Sequence, residues 1–230
     1  MTVDSAAKGE ALQPGMPSGH KVSVAAARLS IAAAGACLLL LASLHVLSPE
    51  FDPSFRVVSE YANGQYGWIL SLMFAAWAVS SWASALTIWP QVQTRTGRIG
   101  LGFLGAAGVG EAMASVFDIN HPLHSVAGLL GVGGLPVAAM LISPALIRIP
   151  GWSDAKRVLL WTANLTWVIL VLMIAALIVI HTVAIVGYPN RMLVVLYCVW
   201  VMTVARQAIK QRDQSIQTRE GMSSPREQLL

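Results

Sequence analysis

Within seven residues, from Asp118 to His124, the chain sets one carboxylate and two imidazoles, those of His121 and His124. Such groups serve general acid–base catalysis and metal ligation. On a helix beginning near Asn120, His121 and His124 lie three residues apart and share a face. Asp118 is then positioned to cap that helix and orient an imidazole. In one arrangement Asp118 orients His124, His124 acts as base, and Glu60 or Glu111 supplies a second acid–base group. In the other, His121 and His124 are completed by His181 or His45 as three ligands of a divalent metal such as zinc. The open position would hold a water able to hydrolyse an ester or amide of a lipid. The spacing matches no strict metal motif of the His-Glu-x-x-His kind. Plainer readings stand beside these: His121, preceding Pro122, as a solvated loop residue, Asp118 as a simple cap, and His181 as a packed, hydrogen-bonded side chain. Haem clasped by two histidines from different spans is a further rival.

The elements that must carry these residues are apolar. The 230-residue chain is 56% hydrophobic and 11% charged, where a soluble domain carries about a quarter charged residues. Its mean hydropathy is +0.64. Six apolar runs follow one another: Val24 to Leu47, Tyr66 to Trp89, Ile99 to Phe117, Leu123 to Ile147, Val158 to Val186, and Met192 to about Ile209. Each is long enough to cross the ~30 Å hydrocarbon core as a helix. The expected fold is all-α, a polytopic membrane protein built as a bundle of six transmembrane helices. Residues 1–22 read as a disordered cytoplasmic tail, 23–209 as the transmembrane domain and 210–230 as a cytoplasmic polar tail. The first run is too long for the apolar core of a signal peptide and reads as a retained helix. Gly102, Ala106 and Gly110 recur every four residues, a spacing that lets helices approach closely in lipid. Pro136 marks an expected kink, and Asn164 an interhelical hydrogen bond. Cys37 and Cys198 lie inside apolar runs and read as packing residues.

Six spans put both termini on one side. All but two of the 15 Lys and Arg residues then fall on that side, the exceptions being Arg56 and Arg191. The positive-inside rule makes it the cytoplasm, with the chain in the cell membrane. The basic residues form no stripe interleaved with aromatics, so nucleic-acid binding is excluded. His45, His121, His124 and His181 all map to the outer rim, beside Glu50, Asp52, Glu60, Asp118 and Arg191. Glu111 sits late in the third span, where an ionisable group normally has a partner or a task.

Several segments carry a likeness: Leu44-His45 followed by Ser-Pro-Glu-Phe-Asp-Pro, the run Ser59-Glu60-Tyr61-Ala62-Asn63-Gly64, Phe117-Asp118 with His124, and Asn190-Arg191. In that order the chain resembles a widespread bacterial family of six-span membrane proteins classed as a domain of unknown function, over residues 25 to 210. The resemblance implies a six-helix fold. It also implies recurrent polar positions at His45, Asp52, Glu60, Asp118, His124 and Arg191; His121 departs from the pattern. A looser likeness to seven-span zinc hydrolases stops at their His-x-x-x-His pattern, which is absent here. The expected function is an outward-facing polar pocket that binds, or hydrolyses, a lipid or amphipathic small molecule. Asp118, His124, Glu60 and Glu111 would be its catalytic groups, and His45, Asp52 and Arg191 its ligand contacts. The alternative is a non-enzymatic transporter subunit, sensor or membrane assembly factor.

Overall fold

In lipid every backbone polar group must be satisfied within the chain, and a long apolar run does this by becoming a helix. The computed structural model, which describes residues 23–178 and 186–223, has six such helices: α1 (Val24–Leu47), α2 (Gly67–Ile88), α3 (Arg95–Val116), α4 (His124–Leu146), α5 (Lys156–Ile178) and α6 (Gly187–Ser223). All six are long and apolar enough to cross a membrane. Short 3₁₀ turns, Val58–Asn63 and Ser153–Ala155, punctuate two of the connections. The all-α membrane architecture expected from the apolar runs is the one observed.

Helix boundaries follow local chemistry. Ser23 caps α1 by accepting from Ala26 N at 3.2 Å, and Thr94 caps α3 by accepting from Gly97 N at 3.1 Å. The Thr94 cap lets α3 begin at Arg95, four residues before its apolar run. Helix α6 likewise starts ahead of Met192, because Pro189 falls in the first turn, where its missing N–H costs nothing. It continues past Ile209 to Ser223, about four further turns. Helix α4 runs unbroken through Pro136 and Pro144.

Packing follows chain order and closes on itself. Each helix touches the next, α1 meets α6, and α2 also reaches α6. The pair α3–α4 is the most extensive. At its closest point Gly110 lies against Gly131 N and the Ala127 carbonyl, and no Cβ would fit there. The expected small-residue stripe is therefore rotated: Gly102 faces open space, and Gly100, Ala107 and Gly110 form the seam with Ile142 and Gly134. Helices α4 and α6, by contrast, barely meet. Two bonds bridge them, from the Tyr197 hydroxyl to the Val132 carbonyl at 2.8 Å and from the Trp200 indole to the Ser143 hydroxyl at 3.0 Å. Asn164 makes no described interhelical bond; its Nδ2 donates to the Leu160 carbonyl of its own helix at 2.7 Å.

The connections 48–66 and 117–123 and the start of α6 meet at one end, called here the histidine end. The connections 89–94 and 147–155 meet at the other, the tail end. There Trp152 is fully buried, and its indole donates to Gln91 Oε1 at 3.0 Å. Gln207 donates to the carbonyl of Gly151, which adopts a φ of 87°.

Candidate ligand-binding cavity

The histidine end is closed by the loop 48–66, and that loop is held by Arg191. Gly187 lets the loop lie against the start of α6, since a Cβ there would collide with the carbonyls of Pro53 and Arg56. Gly187 N donates to the Ser54 carbonyl at 2.9 Å, and Val58 N donates to Asn190 Oδ1 at 2.8 Å. Arg191, one turn in, is buried. Its Nη1 donates to the carbonyls of Arg56, Gly187 and Pro53, and its Nη2 donates to the Tyr61 hydroxyl at 3.0 Å. Its Nε donates to His45 Nε2 at 2.7 Å. The His45 Nδ1 lies 2.7 Å from the Leu41 carbonyl, which can only accept, so the imidazole is the neutral Nδ1–H tautomer. His45 and Arg191 thus spend their polar atoms on each other and on the loop.

The remaining polar groups at the histidine end are also locally committed. Asp52 Oδ1 accepts from Ser54 Oγ at 2.6 Å and Ser54 N at 2.8 Å. Those bonds, the hydroxyl first, hold its carboxyl below the usual value. Glu60 pairs with Arg56 at 2.7 Å and reaches back to Val57 N. Asp118 does not orient His124; its Oδ1 accepts from Asn120 N at 2.9 Å, because a carboxylate two residues ahead closes an Asx turn more easily than it reaches α4. His121 is exposed, stacks on Phe117 at 4.5 Å, and accepts from Leu123 N at 3.2 Å. It starts no helix face with His124, since α4 begins only at His124 itself. His181 lies outside the described residues.

His124 turns inward instead. Its Nδ1 donates to the Phe117 carbonyl at 2.8 Å, and its Nε2 is hydrogen-bonded to the Ser59 hydroxyl at 3.0 Å. Asn120 donates to Asn63 at 2.8 Å and completes the seam between the connections 48–66 and 117–123. A metal at His124 would have to displace Ser59, and no group of three His, Cys, Asp or Glu able to hold a metal ion converges among the described residues.

Beneath this cap lies a cavity of about 50 Å³. It fills the gap between α4 and α6 on the histidine side of the Tyr197–Val132 bridge. Ser59, His124 and Asn190 line it, with Phe74 and Trp77 of α2 and Gly128 and Gly131 of α4. Glu111 of α3 lines it as well, and is only 2% exposed. Glu111 Oε2 accepts from Ser81 Oγ at 2.8 Å, while Oε1 has no hydrogen-bond partner. The Trp77 indole Nε1 also lacks one. Among the described residues six buried side-chain polar atoms lack a partner, and of these only the Glu111 and Trp77 atoms belong to residues that line this cavity.

Of the residues singled out in the sequence, His124 and Glu111 therefore reach one cavity. His45 and Arg191 fasten the cap over it, and Asp52, Glu60, Asp118 and His121 do not line it. Ser59, Trp77, Ser81 and Asn190 were not singled out by chemical type. Ser59 and Asn190 do fall inside the segments that carry the family likeness, which was the available signal.

No curated protein and no solved structure matches the chain. Residues 31–207 match the model described as protein of unknown function (DUF998). With six membrane-length helices and a match over most of its length, the chain belongs to that family.

Proposed function

We propose that this protein binds the polar head of a lipid or amphipathic small molecule in the cavity beneath its 48–66 loop. The observation that carries this reading is Glu111, a carboxylate at membrane depth with one oxygen unpaired on an enclosed space. Such a group is costly to keep and is normally matched by a partner or a task. The mostly apolar lining beside a few convergent polar groups is the usual composition of a small-molecule site. We read the histidine end as the face away from the cytoplasm, on the strength of the Lys and Arg asymmetry.

Binding is favoured over bond cleavage by the side chains themselves. Both nitrogens of His124 are engaged, Asp118 serves its own turn, and Glu60 is paired with Arg56. A hydrolytic centre would need those groups free and convergent.

Gly128 lines the cavity and has open space where its Cβ would stand. Gly128→Leu should therefore fill the cavity without disturbing the backbone. Native mass spectrometry of the protein released from membranes should show a retained amphiphile in the unmodified chain and its loss in Gly128→Leu, at equal thermal stability. Equal retention in both would refute the cavity as the binding site.

A further inference from the structure

The cavity also constrains what its ligand is. We infer that the group received by Glu111 is a protonated amine carrying at least one N–H, of about the size of ethanolammonium. This rests on the reading that the cavity takes a polar head, and it adds the chemical class of that head.

Three observations lead there. The first is charge. Glu111 and His124 are the titratable side chains on the lining. Both His124 nitrogens are already hydrogen-bonded, to the Phe117 carbonyl and the Ser59 hydroxyl. The lining thus offers a carboxyl group and no Lys or Arg, which suits a positive group better than a phosphate. The second is hydrogen bonding. A cation beside Glu111 would favour its ionised form, which only accepts; Ser81 supplies one donor, and Oε1 can take another that no described residue provides. A quaternary ammonium has no N–H to give, whereas a primary amine has three. Beside it, the parallel rings of Phe74 and Trp77, 6.2 Å apart, line the same space and present π-systems that attract a cation.

The third is size. A water-sized group needs roughly 10–15 Å³ of such space, so a cavity of about 50 Å³ holds about four non-hydrogen atoms. Ethanolammonium has that many, and its oxygen is an acceptor for the orphaned Trp77 N–H. The same chemistry occurs as a free amine and as the headgroup of phosphatidylethanolamine.

The test uses the full chain in phosphatidylcholine nanodiscs, titrated calorimetrically with ethanolammonium chloride and with choline chloride at matched ionic strength. Ethanolammonium should bind roughly ten- to a hundredfold more tightly, the range of a charge-assisted hydrogen bond. Glu111→Gln should abolish that preference, and Glu111→Asp should keep it at reduced affinity. If nanodiscs of phosphatidylethanolamine abolish the response to free ethanolammonium, the lipid headgroup is the occupant; if the response persists, it is a free amine. Equal affinity for choline, or a preference that survives Glu111→Gln, overturns the inference. Should Glu111→Gln fail to fold, the comparison of the two cations in the unmodified protein decides alone. Retention of a neutral or anionic amphiphile with no amine response overturns this inference but leaves the binding cavity standing; retention of no amphiphile together with no amine response removes both.

Discussion

The two ends of the bundle solve one problem in opposite ways. Each must close the gap where helices diverge into loops. At the tail end a single large side chain, Trp152, fills the gap, and its indole is satisfied by Gln91. At the histidine end the gap stays open. Its cover is a loop fastened at the rim by the Arg191, Asn190, His124 and Asn63 hydrogen bonds, and an unpaired carboxylate oxygen lies beneath. Filling gives stability by dispersion and burial. Bridging over a void gives up that gain and keeps space for something else. The tail end also leaves one buried atom unpaired, Gln91 Nε2, but packs Trp152 beside it; at the histidine end the unpaired carboxylate oxygen belongs to a residue that lines a cavity.

The contrast can be broken first at the plug. Trp152→Ala should cost about 3–5 kcal/mol, the range for a buried aromatic truncated to alanine, seen as a lower Tm in detergent, while amphiphile retention by native mass spectrometry stays unchanged. Arg191→Ala comes next, at about 2–3 kcal/mol, because it strands buried carbonyls of the cap. Unlike the plug variant it should also release the ligand, and limited proteolysis should then cleave within residues 48–66. A tail-end variant that released ligand, or an Arg191 variant that kept it, would erase the distinction.

Glu111→Leu sharpens the contrast in the other direction. Combined with Ser81→Ala, so that the hydroxyl Glu111 accepts from is not stranded, it should raise stability of the ligand-free protein by about 1 kcal/mol, an upward Tm shift with binding lost. That is the trade expected where a site is kept at the expense of stability. The smallest effect concerns pH. The Asp52 carboxyl is held below its ordinary value by Ser54, so its stabilising share is fully present above its unfolded pKa, near 4. That share is lost as pH falls through the lowered folded value. Asp52→Asn should therefore flatten the decline of Tm between about pH 5 and 3.

The sequence made the spans legible because lipid imposes a simple demand. A run such as Val24 to Leu47 has one way to satisfy its backbone at membrane depth. Boundaries were less legible where a polar helix end extends beyond the apolar run, as Thr94 and Pro189 arrange for α3 and α6. The site divided by the same logic. Glu111 stood out because a carboxylate in lipid is conspicuous. Asp118 and His121 stood out equally by type, yet loops let such groups satisfy themselves locally through Asn120 and Leu123. Ser59, Ser81 and Asn190 are neutral and common, so only their neighbours in space distinguish them. The 3₁₀ turn explains the reversal in the Ser-Glu-Tyr segment: it buries Tyr61 and sets Ser59 on the cavity, leaving Glu60 to pair with Arg56.

The Arg191 anchor has a bearing on how the molecule is assembled. Its guanidinium grips His45, which lies 146 positions earlier in the chain. During synthesis the 48–66 segment emerges long before the residue that locks it. Chains halted before the last helix should consequently expose that segment to quality-control proteases, and the locking of a single side chain becomes the sign that membrane insertion has finished.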